Sequence, residues 1–375
     1  MATVLLVRWL ASLLPADRVG FPAIPAPPLA GILAPLDAVR SRLLRALAPV
    51  ARSLIVPREP RVAVVASLLL ISVFAVACSL PIWVLAVGPL LWGIPHIVSD
   101  IRYLVARPRL HKRPWILGVI AAATIAGAYG FGVRGALAGA VVAMVFARAS
   151  FARRALGVAA VGALFAVAQW AGWKADLAFV HLHNLVGVGL WWAWRRRESK
   201  LHWAPLALFA LGCALILAGF VDAIPRHTGG LRASWTGLDL HRLAWSSSPV
   251  VTGPLVPRFF MLYAFGQSAH YIVWLRLVPE DDRPSATPRS FTQSLRALHA
   301  DVGGPILWLA LAGAIALVSW AIWRGIGAAR DRYIDLAFFH AYLEIVAAAL
   351  LWAESGLRLS AAPRAARAPT AEVPA

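Results

Sequence analysis

The sequence predicts an all-α protein, a polytopic transmembrane helix bundle with about ten spans and both termini in the cytoplasm. Hydrophobic residues make up 60% of the 375 residues and charged residues only 14%, whereas soluble globular proteins have roughly 45–50% apolar and about 25% charged residues. Several apolar runs also reach the length of about 20 residues that an α-helix needs to cross about 30 Å of hydrocarbon. These two observations exclude a soluble enzyme, a secreted disulfide scaffold and a disordered chain.

The first 60 residues are predicted to form an N-terminal region of their own, interfacial, amphipathic and rich in proline. Residues 1–14 are apolar apart from Arg8, and no basic segment precedes them, so we expect a short interfacial helix and not a signal peptide. Residues 21–36 contain five prolines and predict an extended linker. Residues 37–57 place arginines among leucines and alanines, a pattern typical of an amphipathic helix on an anionic leaflet.

The transmembrane domain is predicted to cover residues 61–356, and residues 357–375 are predicted to be a disordered cytoplasmic tail. Hydropathy places ten spans in this domain. They lie at about 62–80, 82–102, 115–131, 134–148, 155–172, 177–194, 203–222, 257–277, 304–324 and 333–353.

The distribution of Lys and Arg among the loops predicts which side of the membrane each loop occupies. The chain has 36 Lys and Arg residues against 17 Asp and Glu residues, a net charge of +19, and Lys and Arg collect in cytoplasmic loops. In the ten-span topology the basic connections after spans two, four, six and eight share one side with both basic termini. The surplus charge therefore indicates topology in a lipid bilayer and no nucleic-acid partner, and we predict a multi-pass protein of a bacterial inner membrane.

Histidines inside the spans are the main functional signal, because an ionisable side chain at the bilayer centre costs about 2.5 kcal/mol or more on insertion scales. Span two carries His96, span six His181 and His183, span eight His270 and span ten His340. Residues two apart are separated by about 200° around a helix. We therefore expect only His183 to reach a shared site, with His181 as the alternative. The histidines beside the basic connections are expected to be solvated or interfacial: His111, His202 and His299.

Two carboxylates lie well inside spans, Asp100 and Glu344, and each follows a histidine by four residues. This spacing puts the carboxylate and the imidazole on the same helix face. Such a carboxylate can orient the ring, act as a metal ligand or carry a proton. Asp100 and Glu344 are therefore the predicted catalytic residues.

Three further side chains are predicted to bind the cofactor or its substrate. Gln267 and Trp274 lie three and four residues from His270 and so share its helix face. Trp92 lies four residues before His96. Together they predict a polar and aromatic pocket next to the histidines.

The number of sites stays open at this point. In the ten-span topology His96 and His270 lie in the cytoplasmic half of the membrane, and His183 and His340 lie in the outer half. Their nominal offset is on the order of 10 Å at 1.5 Å per residue. Helix tilt and a kink at Pro95 would bring them into one site. Otherwise they form two sites at two depths, as in membrane cytochromes that hold two haems.

The segment Gly93-Ile-Pro95-His96-Ile-Val-Ser-Asp100 resembles the Gly-x-Pro-His-Gly-x-x-Asp motif of the Brp/Blh family of membrane β-carotene 15,15′-dioxygenases. His96 matches the motif histidine and Asp100 its acid, while Ile97 stands where the family has glycine. The resemblance implies a polytopic helical protein in which histidines bind a non-haem ferrous ion and dioxygen cleaves the central double bond of β-carotene to give retinal. It rests on about eight residues of the 375.

The resulting hypothesis is an integral membrane, metal-dependent oxygenase that acts with dioxygen on a hydrophobic lipid such as a carotenoid. Imidazole suits iron, copper and zinc, and the two cysteines of the chain are too few for a thiolate cluster. The resemblance implies a ferrous ion, which His96, His183, His270 and His340 would hold. Two alternatives remain. One is a haem-binding electron-transfer protein with histidine axial ligands, and the other is a proton-coupled transporter with His–carboxylate relays.

Overall fold

The computed structural model describes residues 29–194, 199–233, 236–239, 252–282 and 288–355, and within them the chain is an all-α, membrane-type helical bundle. The predictions for residues 1–28 and for the tail at 357–375 fall outside the described residues. The helices are α1 (Leu29–Ile55), α2 (Arg58–Ser79), α3 (Pro81–Asp100), α4 (Pro114–Ala126), α5 (Val133–Val145), α6 (Phe151–Ala171), α7 (Trp173–Trp194), α8 (Trp203–Ala218), α9 (Ile224–His227), α10 (Leu255–Ile272), α11 (Val278–Asp282), α12 (Phe291–Arg324) and α13 (Ile326–Ser355).

Helices α3, α4 and α10 each continue into a π-helix, at Ile101–Ala106, Gly127–Phe131 and Val273–Leu277. Short 3-10 helices precede α4 and α8, at Leu110–Lys112 and Lys200–His202. Between α9 and α10 lies a two-stranded antiparallel sheet of β1 (Arg232–Ala233) and β2 (Leu238–Asp239), in which Arg232 pairs with Asp239.

Each of the ten predicted spans coincides with a helix of the bundle. Seven helices of the described chain have the length and hydropathy of a membrane span: Arg58–Ser79, Pro81–Ala106, Pro114–Phe131, Phe151–Ala171, Lys200–Ala218, Phe291–Arg324 and Ile326–Glu354. Helix α5 has only 13 residues, and α7 and α10 do not belong to these seven. The membrane-type helical architecture is confirmed, while the count of ten spans stays a prediction.

Helix α1 begins at Leu29, eight residues before the predicted start of the amphipathic helix, so residues 29–36 are helical and not an extended linker. Its leucines and isoleucine recur at helical spacing on one face, which is the pattern of a helix with a single apolar side. That apolar face points away from the bundle, because these side chains are about half exposed or more: Ile32, Leu36, Val39, Leu43 and Leu47.

Helix α12 starts well before the predicted span at residue 304. Ser290 and Gln293 form a capping box at its N-terminus, which satisfies two backbone donors that a helix start leaves unpaired. Asp37 of α1 accepts hydrogen bonds from the first two backbone N–H groups of α12 at 2.6 and 3.0 Å. Gly303, with φ of 82°, then breaks the helix. Residues 291–302 therefore form a separate first part of α12, which we call the arm. The arm is hydrogen-bonded to α1 and leads into the predicted span.

Helices α3, α10 and α13 form the centre of the bundle. Helix α10 packs against α2, α3, α7 and α8, and α13 packs against α3, α5 and α12. Their buried faces contribute residues to the apolar core, including Ile82, Leu85, Phe260, Phe265 and Leu350. The histidine-bearing helices thus lie inside the bundle, where polar side chains face protein and not lipid.

Buried ion pairs join distant segments at the basic end of the bundle. Arg61 is 2% exposed and donates hydrogen bonds of 3.1 and 2.7 Å to Glu280 Oε1, and two more to backbone carbonyls at the end of α1. Arg102 donates to Asp301 Oδ2 at 2.8 Å. An unpaired buried charge is far more costly than a paired one. The Arg61 contacts therefore fix α1, α2 and α11 relative to one another, and the Arg102 pair fixes the π-helix after α3 to α12.

His202 departs from the expectation that it is solvated or interfacial. Its side chain is buried and pairs with Glu59 of α2. No sequence pattern predicts this pair, because the two residues are 143 positions apart.

We expect the Arg61→Met variant to be much less stable than the native protein, because it leaves Glu280 buried without one of its two arginine partners. Breaking a buried pair costs about 3–5 kcal/mol, which should appear as a lower midpoint of thermal unfolding in detergent. Burial raises the pKa of Glu280, but hydrogen bonds from Arg276 and Arg61 outweigh it and lower the pKa. The stabilisation is therefore present at neutral pH and is lost as the pH falls through the acidic range.

The matched control is Arg332→Met. Arg332 is 66% exposed and lies 3.6 Å from Asp335, and exposed pairs contribute only about 0–1 kcal/mol. Equal unfolding midpoints for the two variants at neutral pH would contradict the role assigned to Arg61.

Candidate metal centre

Four histidines from four helices meet at one point in the bundle: His96 of α3, His183 of α7, His270 of α10 and His340 of α13. The Nε2 atoms of His96 and His270 are 3.1 Å apart. The ring of His340 lies 5.1 Å from that of His96, and the ring of His183 lies 4.8 Å from that of His270, measured between centroids. We call these four side chains the histidine cluster.

The predicted topology left open whether the histidines lie in one site or in two sites at different depths. The structure brings all four histidines together, so they form one site and not two. Two of the helices change to π-helix directly after the cluster, α3 at Ile101 and α10 at Val273. Short π-helical segments inside α-helices are rare and frequently accompany functional sites.

Two carboxylates complete the cluster. Asp100 Oδ2 lies 3.4 Å from His96 Nε2, as the spacing of four residues predicts. Glu344 contacts histidines of other helices: its Oε2 lies 3.3 Å from His183 Nδ1 and its Oε1 lies 3.6 Å from His270 Nε2. Glu344 therefore bridges helices instead of orienting His340 on its own helix.

His340 is oriented by the backbone. Its Nδ1 lies within hydrogen-bonding distance of the carbonyl oxygen of Ala337, three residues earlier. A donor hydrogen bond from Nδ1 places the lone pair of the neutral ring on Nε2. A backbone carbonyl in this position is a common partner of a metal-binding histidine.

The polar atoms of the site are buried, and several of them make no hydrogen bond among the described residues. His96 and Asp100 are 0% exposed, His270 is 1% and Glu344 is 5% exposed. Among the described residues, several of their buried atoms have no hydrogen-bond partner: His96 Nδ1, both carboxylate oxygens of Asp100, His183 Nε2 and Glu344 Oε1. Buried polar groups without partners are rare in folded proteins and point to a missing water or ion.

The donor set fits a divalent transition metal. His96, Asp100 and His340 form one group whose ligand atoms lie within 4.8 Å of one another, and His96, His270 and Glu344 form a second. Imidazole nitrogens combined with a carboxylate suit iron, zinc and manganese. A cavity of about 110 Å³ lies against the cluster, enough for an ion and small ligands.

The remaining predicted site residues divide into two pairs. Gln267 lines the cavity, and the Trp274 ring lies 6.2 Å from the His96 ring. Trp92 does not line the cavity, and its side chain is 52% exposed on the outside of the bundle. His181 points away from the cluster and packs against Phe259 and Tyr263, which leaves His183 as the histidine that α7 contributes.

Sequence reasoning missed the tyrosines of the site. The Tyr271 ring lies 5.3 Å from the His96 ring, and Tyr263 and Tyr333 line the same cavity. Tyr271 follows His270 directly, which was the only available signal. Nothing in the spacing of Tyr333 within α13 relates it to α3.

Two glycines make the close packing possible. A Cβ atom at Gly93 would clash with the Tyr333 ring, and one at Gly187 would clash with the His270 ring. Gly93 belongs to the Gly-x-Pro-His segment, so its place in that segment has a steric explanation. Gly187 lets α7 approach α10 closely enough for His183 to reach the cluster.

Comparison of the chain with family models, with curated proteins and with solved structures returned no match.

We expect the Gly187→Ala variant to bind less metal than the native protein. The added methyl group overlaps the His270 ring, and His270 is too tightly buried to move without displacing its neighbours. Metal analysis of the purified protein measures the effect. The control is Gly118→Ala in α4, where nothing lies within 4 Å of the new Cβ. Equal metal content in both variants would argue against His270 as a ligand.

Proposed function

We propose that this protein is an integral membrane oxygenase that holds a non-haem ferrous ion in the histidine cluster and acts on a hydrophobic lipid such as a carotenoid. One observation carries the proposal: four histidines and two carboxylates from four helices converge inside the bundle, and several of their ligand atoms have no hydrogen-bond partner among the described residues. Ionisable groups inside a membrane are costly and are retained for function. Packing alone would not gather six of them.

Iron is the metal that the chemistry favours. His96, His183, His270 and His340 would hold it, with Asp100 or Glu344 as a further ligand. Neutral imidazoles with a carboxylate and an open position are the ligand set of non-haem Fe(II) oxygenases. The ferrous ion, when bound, supplies the activation of dioxygen. The resemblance of the Pro95-His96 segment to the Brp/Blh family supports the same assignment.

The protein residues would orient the site and keep water out. Hydrogen bonding of His340 Nδ1 to Ala337 presents Nε2 to the cluster. Asp100 and Glu344 can accept a proton from a neighbouring imidazole or return one. The rings of Tyr271 and Trp274 cover the cluster, so the reaction takes place away from water.

A hydrophobic substrate would approach from the lipid side. Phe179 of α7 and Ile334 and Phe338 of α13 line the cavity at the cluster. Phe338 is 39% exposed, so this wall reaches the surface that faces lipid. An apolar approach of this kind suits a polyene dissolved in the bilayer better than a water-soluble substrate.

The alternatives are weaker on the same geometry. A haem would have to fit among the histidines, where the cavity measures about 110 Å³, whereas cofactor pockets measure about 300–1,000 Å³. A lipid substrate would bring only its reacting segment to the cluster and leave the rest in the bilayer. A proton relay would also use contacts between His96, His270 and Glu344, but it would not require a metal. Metal analysis therefore separates the relay from the oxygenase.

The proposal includes the finer topology. It has ten spans, cytoplasmic termini and a place in a bacterial inner membrane. The concentration of arginines at one end of the bundle, including Arg61, Arg102 and Arg113, supports this orientation.

The decisive experiment expresses the chain in bacterial cells that produce β-carotene. We expect loss of the orange colour, formation of retinal and about one iron per purified chain, with no Soret band. The variants His96→Ala and His270→Ala should retain colour and lose iron. His227→Ala is the control, because His227 is exposed in α9.

A purified protein without bound metal would refute the proposed centre. Iron without retinal formation would retain the metal centre and exclude β-carotene as the substrate. A Soret band with loss of that band in His96→Ala would instead assign a haem protein.

A further inference from the structure

A second and larger cavity lies on the other side of α3 from the histidine cluster. Its volume is about 760 Å³, and it is bounded by α1, α2, α3, the π-helix after α10, and the two parts of α12. We call it the arginine cavity, because five arginines line it: Arg40, Arg61, Arg102, Arg276 and Arg289. Among the described residues, Glu280 is the one carboxylate that lines it as well.

Two of these arginines depend on that one carboxylate. Glu280 pairs with both Arg61 and Arg276 at 2.7 Å. Arg102 pairs with Asp301, which lies outside the lining. The described lining residues thus carry more positive than negative charge.

Arg40 is the arginine of this cavity that offers a nitrogen atom for a ligand. Its Nη2 atom is shielded from solvent, and the described residues offer it no hydrogen-bond partner. Burial lowers the pKa of Arg40, Asp37 opposes this effect, and the charges of Arg276 and Arg61 lower the pKa further. A guanidinium in this position is suited to a carboxylate or phosphate group.

Apart from the charged residues, mainly apolar side chains line the cavity. Two helices form its walls, from Ile94 to Arg102 along α3 and from Leu307 to Ala314 along α12. At 1.5 Å per residue these walls extend about 10–12 Å. They carry Val98 and Leu311, and Leu298 closes the side formed by the arm of α12. This shape fits an acyl chain whose charged end stays at the arginines.

We propose that the arginine cavity binds an amphiphile with an acyl chain and an anionic headgroup. The acyl chain lies along α3 and α12, and the headgroup lies at Arg40. Helix α1 covers the headgroup, held in place by the hydrogen bonds that Asp37 accepts from α12. Both a fatty acid and an anionic phospholipid have this chemistry. The inference does not depend on the metal of the histidine cluster.

The test measures binding to the full chain in a nonionic detergent. The probes are palmitate, its uncharged methyl ester, dipalmitoyl phosphatidylglycerol and inorganic phosphate. We expect saturable binding of at least one of the two anionic amphiphiles. The ester and phosphate should bind at least tenfold more weakly than that amphiphile, because each lacks one half of the recognised structure. Tighter binding of palmitate than of phosphatidylglycerol assigns a fatty acid, and the reverse assigns a phospholipid.

Matched variants locate the site. Arg40→Gln should weaken binding of the preferred anionic probe about tenfold or more, which corresponds to about 1.4 kcal/mol. Arg42→Gln on the exposed side of the same helix should change it less than twofold. Ala314→Trp, which fills the apolar end of the cavity, should weaken binding of the acyl chain without altering the arginines.

The thermal unfolding midpoint of each variant shows that it is folded. Equal binding of palmitate and its methyl ester, or equal effects of Arg40→Gln and Arg42→Gln, would overturn the proposal. The first result would assign the interaction to apolar contact alone, and the second would assign it to the general positive charge of the surface.

Discussion

A membrane interior that does not solvate charge is the constraint on which this structure depends. Each histidine and carboxylate placed in a span needs a partner within the protein, because hydrocarbon offers none. The chain meets this demand by drawing α3, α7, α10 and α13 to one point, where His96, His270 and Glu344 lie within 4.0 Å of one another. The arrangement of the central helices and the geometry of the site therefore have one cause.

Much of this could be predicted from sequence for the same reason. Apolar runs of span length are a strong signal, and each predicted span coincides with a helix. Ionisable residues inside those runs are rare, so His96, His270, His340 and Asp100 stood out. Helix geometry predicts that only one of His183 and His181 reaches the site, since the two point in opposite directions. The structure places His183 in the cluster and His181 against Phe259.

What the sequence could not predict depends on packing between helices. The spacing of four residues paired Glu344 with His340, but the rotation of α13 turns this carboxylate towards His183. The spacing of four residues between Trp92 and His96 predicts that Trp92 lies in the site, yet its side chain faces outward. The early start of α12 depends on a capping box and on Asp37, which is more than 250 residues away in sequence. Such contacts have no periodicity to detect.

Helix α3 explains how two cavities of different character lie side by side. His96 and Asp100 are four residues apart and face the histidine cluster, whereas Pro95, Ser99 and Arg102 follow one another at helical spacing and face the arginine cavity. Between the cavities, the Ser99 hydroxyl donates a 2.7 Å hydrogen bond to the carbonyl of Trp274. That carbonyl belongs to the π-helix after α10, where the regular α-helical pairing of the backbone is interrupted. The bond thus satisfies an acceptor in the wall and joins α3 to α10 beside His96.

A substitution at Ser99 or Trp274 would alter both cavities, whereas one at Arg40 or His183 alters only one. The two sites are therefore separable by mutation even though they share a helix.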